Sequence, residues 1–187
     1  MPTLLEDHWT LQLAVLCLSA LIFGCIASTT VEKTRPTMNE YGLIVDLLPI
    51  ASAYTRQQEA YILEHGRPLT ADETNIASSV GVRFPERVRV LNVDSIPLPE
   101  HESLRSLMIK HGLGSNQTVG RTMGYGIYLK RRSSTNVRLM RHELTHVAQY
   151  ERFGGIERFL MEYMNQIFRF GYARAPLEME ARWRPGR

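Results

Sequence analysis

His142-Glu143-Leu144-Thr145-His146 decides how this chain is read. These five residues have the form H-E-x-x-H and lie inside an amphipathic run, residues 135–153. An α-helix turns about 100° per residue, so residues four apart lie about 40° apart on one face. On a helix, His142 and His146 can therefore hold one metal ion between their imidazoles. Glu143 projects about 100° to the side, where it reaches a metal-bound water without ligating the metal. This is the donor pattern of a zinc-dependent hydrolase in which the glutamate acts as base.

The flanking residues agree with a helix. Ser133, Ser134 and Thr135 offer an N-cap oxygen for the free N–H groups of the first turn. Val137, Met140, Leu144, Val147 and Ala148 form an apolar stripe at helical spacing, with the two histidines roughly opposite Leu144. Gly154-Gly155 supplies the stop, because glycine takes the left-handed conformation without a Cβ penalty.

Two histidines and a water leave a zinc site one protein ligand short. The other histidines, His8, His65, His101 and His111, lie in no pattern that would deliver one, and Cys17 and Cys25 sit in an apolar N-terminal segment. The extended H-E-x-x-H-x-x-G-x-x-H pattern is absent, since Gln149 stands at its glycine and Arg152 at its third histidine. A carboxylate from Ala175-Pro176-Leu177-Glu178-Met179-Glu180-Ala181-Arg182-Trp183 remains. Proline is well tolerated in a first helical turn, so Pro176 is expected to open a short helix. Glu178 and Glu180 are about 200° apart around it, so only one can face a metal. The residues alone leave the choice open, and both fit ordinary i,i+4 ion pairs with Arg182 and Arg184 as well.

Residues 141–155, R-H-E-L-T-H-V-A-Q-Y-E-R-F-G-G, together with residues 175–181, resemble small bacterial proteins related to the minigluzincin metallopeptidases. The resemblance covers roughly residues 88–184. It implies an α+β, zincin-like domain with the HExxH helix, a short β-sheet bordering the cleft and a C-terminal glutamate-bearing helix. In gluzincins the third ligand is the first Glu of an E-x-x-A-D-like motif. Matching Ala181 to that Ala makes Glu178 the ligand, while Arg182 stands at the motif's Asp.

The chain has 187 residues, 44% hydrophobic and 22% charged, enough for one domain with a sizeable core and an extension. Two cysteines, both upstream of the motif, argue against a disulfide framework or a cysteine-type zinc finger there. The formal charge of +3 is mild, and its main cluster, Lys130-Arg131-Arg132, reads as a solvated loop, so no nucleic-acid partner is expected. Residues 9–31 carry no charge, a run long enough to span a bilayer. Glu6 and Asp7 stand where a signal peptide wants positive charge. Lys33 and Arg35 follow the run, which favours a single-pass anchor with the remainder cytoplasmic; a cleaved signal, a buried extension, or an internal start at Met38 are the alternatives. The expected organisation is an extension over 1–37, a helical lead-in over 38–85 and the zincin-like domain over 86–187.

Elsewhere, residues 55–64 read as a helix ended by His65-Gly66, and residues 43–48 are left unassigned. Thr70 caps a helix running to about Ser79, Pro85 breaks the chain, and residues 88–93 suggest a strand. Residues 104–111 form a helix stopped by Gly112. Residues 118–130 read as a strand or hairpin, with Tyr125 and Tyr128 able to aim a hydroxyl into the cleft. In the families resembled, such a strand borders the cleft and can pair with an extended substrate. Residues 156–170 form a helix that serves as core. Asn116-Gln117-Thr118 matches a glycosylation sequon, relevant only in a eukaryotic secretory setting.

Together these features predict a zinc metallopeptidase acting on a peptide or protein. His142, His146 and Glu178 would hold Zn2+, and Glu143 would take a proton from the metal's water and pass it to the leaving amine. Tyr163 and Tyr172 are candidates for the oxyanion donor. Three other classes compete: a non-catalytic, membrane-tethered binding module in which zinc staples two helices, an iron redox site with two histidines and a carboxylate, and a metal-free interaction protein.

Overall fold

Alternating side chains on one short strand organise the molecule. The structure, a computed structural model, describes residues 38–114 and 118–183. In β4 (Gly126–Lys130), Ile127 and Leu129 point to one face of the sheet and Tyr128 to the other, as the period of two requires. All three are buried, so both faces must be covered. Ile127 and Leu129 pack under Met140, Leu144, Val147 and Ala148 of α4 (Val137–Phe153) and under Ala77 of α2 (Ala71–Ser79). Tyr128 packs with Ile62 of α1 (Met38–His65). Burying such a side chain fully contributes about 1.5–3 kcal/mol, so this strand ties two helical layers together.

The sheet has four strands in the order β1-β2-β4-β3. Here β1 is Arg67–Pro68, β2 is Arg89–Val93 and β3 is Gly120–Met123. β2 and β4 run parallel, and the outer pairs are antiparallel. β3 and β4 form the hairpin foreseen over 118–130, turning at Gly124-Tyr125. Gly124 has φ +60°, and a Cβ there would collide with the Glu59 carboxylate, which accepts the Tyr125 N–H at 2.7 Å. The remaining helices are α3 (Glu102–Lys110), α5 (Ile156–Phe170) and α6 (Pro176–Trp183). The class is mixed α+β.

α1 is much longer than residues 55–64, absorbing the unassigned 43–48 stretch and running through Pro49. A proline inside a helix removes one hydrogen bond and costs about 3 kcal/mol. Ile44, Leu47 and Ala51, buried against Leu104 of α3 and Met164 of α5, offset that loss by tertiary burial. The 38–85 segment thus contributes to three of the cores, through Ala77, Val80 and Val82, through Ile44, Leu47 and Ala51, and through Ile62. The Thr70 cap is a complete capping box: the Thr70 hydroxyl accepts from Glu73 N, and Glu73 accepts from Thr70 N at 2.8 Å. Arg67 clasps the same carboxylate through two 2.7 Å hydrogen bonds.

In α4 the cap is Asn136, whose Oδ1 accepts from Leu139 N at 3.1 Å. It replaces the expected Ser133–Thr135 oxygens because residues 131–133 form a 3-10 turn and the Ser134 hydroxyl donates to Arg131 O. Val137, counted in the apolar stripe, is 61% exposed; it is the first residue of the helix. Gly154 ends the helix at φ +79°. Near that end Glu151 is buried, accepting from the backbone N–H of Arg83 (2.7 Å) and Phe84 (3.1 Å) and from the Tyr125 hydroxyl (3.1 Å). Among the described residues no helix is long and apolar enough to cross a membrane. The apolar run 9–31, with His8, Cys17 and Cys25, lies outside them, as do Asn116 and Gln117 of the sequon.

Candidate metal centre

One helical turn of α4 and the first turn of α6 meet over a buried cluster. His142 and His146 bring their Nε2 atoms to 3.1 Å of each other, with rings nearly perpendicular. Glu178, 1% exposed, sets Oε2 3.6 Å from His142 Nε2 and Oε1 3.4 Å from His146 Nε2. One ligand atom from each of the three residues lies within 4.8 Å of the others. Glu178 Oε2 is buried without a hydrogen-bond partner. An unsatisfied buried polar atom costs about 1–3 kcal/mol, more when charged. Two inward nitrogens and an orphaned carboxylate oxygen are the donor set that a small divalent cation satisfies, so the residues fit zinc.

Glu180 points elsewhere. Arg152 Nη1 and Nη2 donate to its two oxygens at 2.7 Å each, and Gln149 Nε2 donates to Oε2 at 3.0 Å. Arg152 stands at the sequence position of an absent histidine and engages the glutamate that is not in the cluster. Glu178 keeps its expected helical neighbour as well, with Arg182 Nη2 3.7 Å from Oε2.

The electrostatics favour an ionised Glu178, an unprotonated His142 and a His146 drawn toward its protonated form. Burial acts upward on Glu178, but the hydrogen bond and charge of His146, the Tyr163 hydroxyl and His142 outweigh it and hold the carboxyl at about 2. Burial and the neighbouring His146 draw His142 down to about 4. For His146 burial acts downward, yet Glu178 overcomes it and the net shift is upward. The same carboxylate that draws a proton to His146 would draw a metal cation.

Glu143 is 3% exposed and faces the hairpin. Its Oε2 lies 2.7 Å from Thr122 Oγ1, and its carboxylate rests on the backbone of Gly120, where a Cβ would collide with it. Burial pushes this carboxyl up to about 7, against the pull of His146 and of Thr122. Thr122 and Gly120 carry no sequence signal of their own, since only the pairing of β3 with β4 brings them to α4. Gln149 had one: it lies three residues after His146, on the same helix face.

The tyrosines divide differently from expectation. Tyr163, on α5, donates to Glu178 Oε1 at 2.7 Å and so steadies the third member of the cluster. Tyr172 is 37% exposed and lines the cleft. Tyr125 and Tyr128 do not reach it; their hydroxyls donate to Glu151 and Gln58, because the turn and the α1-facing side of β4 direct them away. A cavity of about 1130 Å³ opens from Glu143, His142, His146 and Glu178. One arm runs between α1, α3 and α5, past Leu104, Leu107, Met164 and Phe168. His111 lies in that arm against Phe168, far in sequence and setting from the cluster. β3 is the terminal strand of the sheet, and its Gly120–Met123 also line the cavity. No protein-family model, curated protein or solved structure matches this chain.

Proposed function

We propose that the chain is a zinc-dependent peptidase with a zincin-like fold, and that it cleaves extended peptides lying along β3. The observation that carries this reading is the convergence of His142, His146 and Glu178 beside a separate buried carboxylate, Glu143, which takes no part in that cluster. His142 Nε2, His146 Nε2 and the Glu178 carboxylate would hold the ion. When bound, zinc supplies Lewis acidity, which acidifies water and polarises an amide carbonyl. Glu143, at about 7, is poised near neutrality to take a proton from the attacking water and deliver it to the leaving nitrogen. Thr122 and Gly120 keep its carboxyl at the cleft wall. Tyr163 holds Glu178 in orientation; Tyr172 faces Glu178 as well but is the more exposed at the cleft, and is the candidate donor to a developing oxyanion.

The position of β3 as the terminal strand among the described residues supports backbone pairing with a substrate strand, which gives affinity without much side-chain selectivity. The apolar arm supports substrates with a bulky apolar residue beside the scissile bond. The charge-free run 9–31, followed by Lys33 and Arg35, supports a single-pass anchor with this site on the cytoplasmic side.

The test uses the full chain, purified without added metal. Elemental analysis is expected to find about one zinc per chain, the stoichiometry of a single three-ligand site. A mixed peptide library is expected to be cleaved, and Glu143→Gln is expected to keep the zinc and lose cleavage. Iron in place of zinc would indicate redox chemistry. An unchanged cleavage rate in Glu143→Gln would leave the ion a staple between α4 and α6.

A further inference from the structure

Gln149 has no exposed surface and makes three hydrogen bonds. Its amide nitrogen has two protons and two neighbours that can only accept, the Leu177 carbonyl at 3.0 Å and Glu180 Oε2 at 3.0 Å. Both are on α6. This fixes which end of the amide is which, so Oε1 must be the atom 2.8 Å from His146 Nδ1. An amide oxygen can only accept, and His146 Nδ1 must therefore carry a proton. The neutral imidazole that a metal would bind has one N–H, which leaves Nε2 with its lone pair on the side of His142 and Glu178.

Glu180 is held in turn by the two-pronged grip of Arg152, which lies on the same helix as His146 and Gln149. The chain of contacts Arg152–Glu180–Gln149–His146 leaves α4, touches α6 and returns to α4. It sets the tautomer of one metal-facing histidine and the seating of the helix that carries Glu178.

We infer that Gln149 is a positioning residue for the metal, locking His146 as an Nε2 donor, and that the Arg152–Glu180 pair holds Gln149 in that orientation. The inference rests on the metal-binding reading above and adds to it a reason for residues outside the cluster. Partners of this kind typically contribute about 10–100-fold in metal affinity.

Three measurements on the full chain test it. Zinc affinity by competition with a chromophoric chelator is expected to fall about 10–100-fold in Gln149→Leu. Glu180→Gln still offers an oxygen to Gln149 Nε2 and leaves the Leu177 contact in place, and is expected to keep most of the wild-type affinity. Nitrogen-15 spectra of zinc-loaded wild type are expected to show His146 bound through Nε2 with a slowly exchanging Nδ1–H. Wild-type affinity in a folded Gln149→Leu, or coordination of His146 through Nδ1, overturns the inference while leaving the metal site standing. The nitrogen spectrum decides the matter even if Gln149→Leu does not fold. Absence of zinc binding by wild type removes the metal-binding reading itself.

Discussion

Substituting Gly120 by alanine perturbs the proposed base without touching His142, His146 or Glu178. The backbone at Gly120 is ordinary strand, with no positive φ to oppose a side chain. Alanine there would by itself restrict the unfolded chain and stabilise the fold by about 0.4–1 kcal/mol. The new Cβ, however, falls 2.9 Å from Glu143 Cδ, closer still to Oε1, and 3.0 Å from Leu139 Cδ1. The carboxyl is the far end of a flexible side chain, so it is the group that moves. Moving breaks its 2.7 Å hydrogen bond with Thr122, which for a charged acceptor is worth about 1.5–3 kcal/mol. The loss outweighs the gain by about 1–2 kcal/mol, so the melting temperature should fall by a few degrees, at about 2–4 °C per kcal/mol in a domain this size. Catalysis has no such offset. A general base displaced by about 1 Å loses on the order of 100-fold. Measured together, zinc content should stay at wild-type level while kcat/KM on a peptide substrate falls about 100-fold. Full activity in Gly120→Ala with zinc bound would refute the assignment of Glu143 as a base acting from this position.

Glu178→Ala should bind zinc far more weakly than wild type by elemental analysis, whereas Glu180→Ala should retain the ion with a modest loss of affinity; the reverse order would exchange their roles. Leu144→Ala, at a fully buried position between α4 and the sheet, should lower unfolding free energy by about 2–5 kcal/mol in urea titration. A change below about 1 kcal/mol would place Leu144 outside the core. Glu73 is held below the ordinary carboxylate range by its hydrogen bonds with Arg67, which outweigh burial. A depressed folded pKa gives stability that is complete above the unfolded value of about 4.3 and is lost as pH falls toward the folded one. Arg67→Met should therefore lower stability at neutral pH and flatten the decline below about pH 4.3, read by denaturant titration at several pH values.

The parts of the molecule that announce themselves in the sequence are those fixed by local chemistry. The HExxH face of α4, its stop at Gly154, the Thr70 capping box and the helix opened by Pro176 each depend on a few neighbouring residues. Glu178 and Glu180 were distinguishable only as facing opposite ways. Their assignment depended on the resemblance, and the structure brings Glu178 to the histidines. What was illegible depends on partners distant in sequence. Helix α1 survives Pro49 because α3 and α5 bury its apolar face, which no window around residue 49 reveals. The hydroxyls of Tyr125 and Tyr128 turn away from the cleft because Glu151 and Gln58 accept them. Thr122 meets Glu143 through strand pairing alone. Gln149 was visible as a departure from a histidine-rich pattern, but its role required knowing that Leu177 and Glu180 would consume its two donors.

Glu151 moors α4 from the end that carries no chemistry, gathering a loop and the hairpin turn onto one carboxylate eight residues after Glu143. The helix that presents His142 and His146 is thus anchored by bonds that need no ion. Chelation is expected to strip the metal while leaving α4 in place, so that other divalent ions can be installed in a scaffold already shaped to receive them.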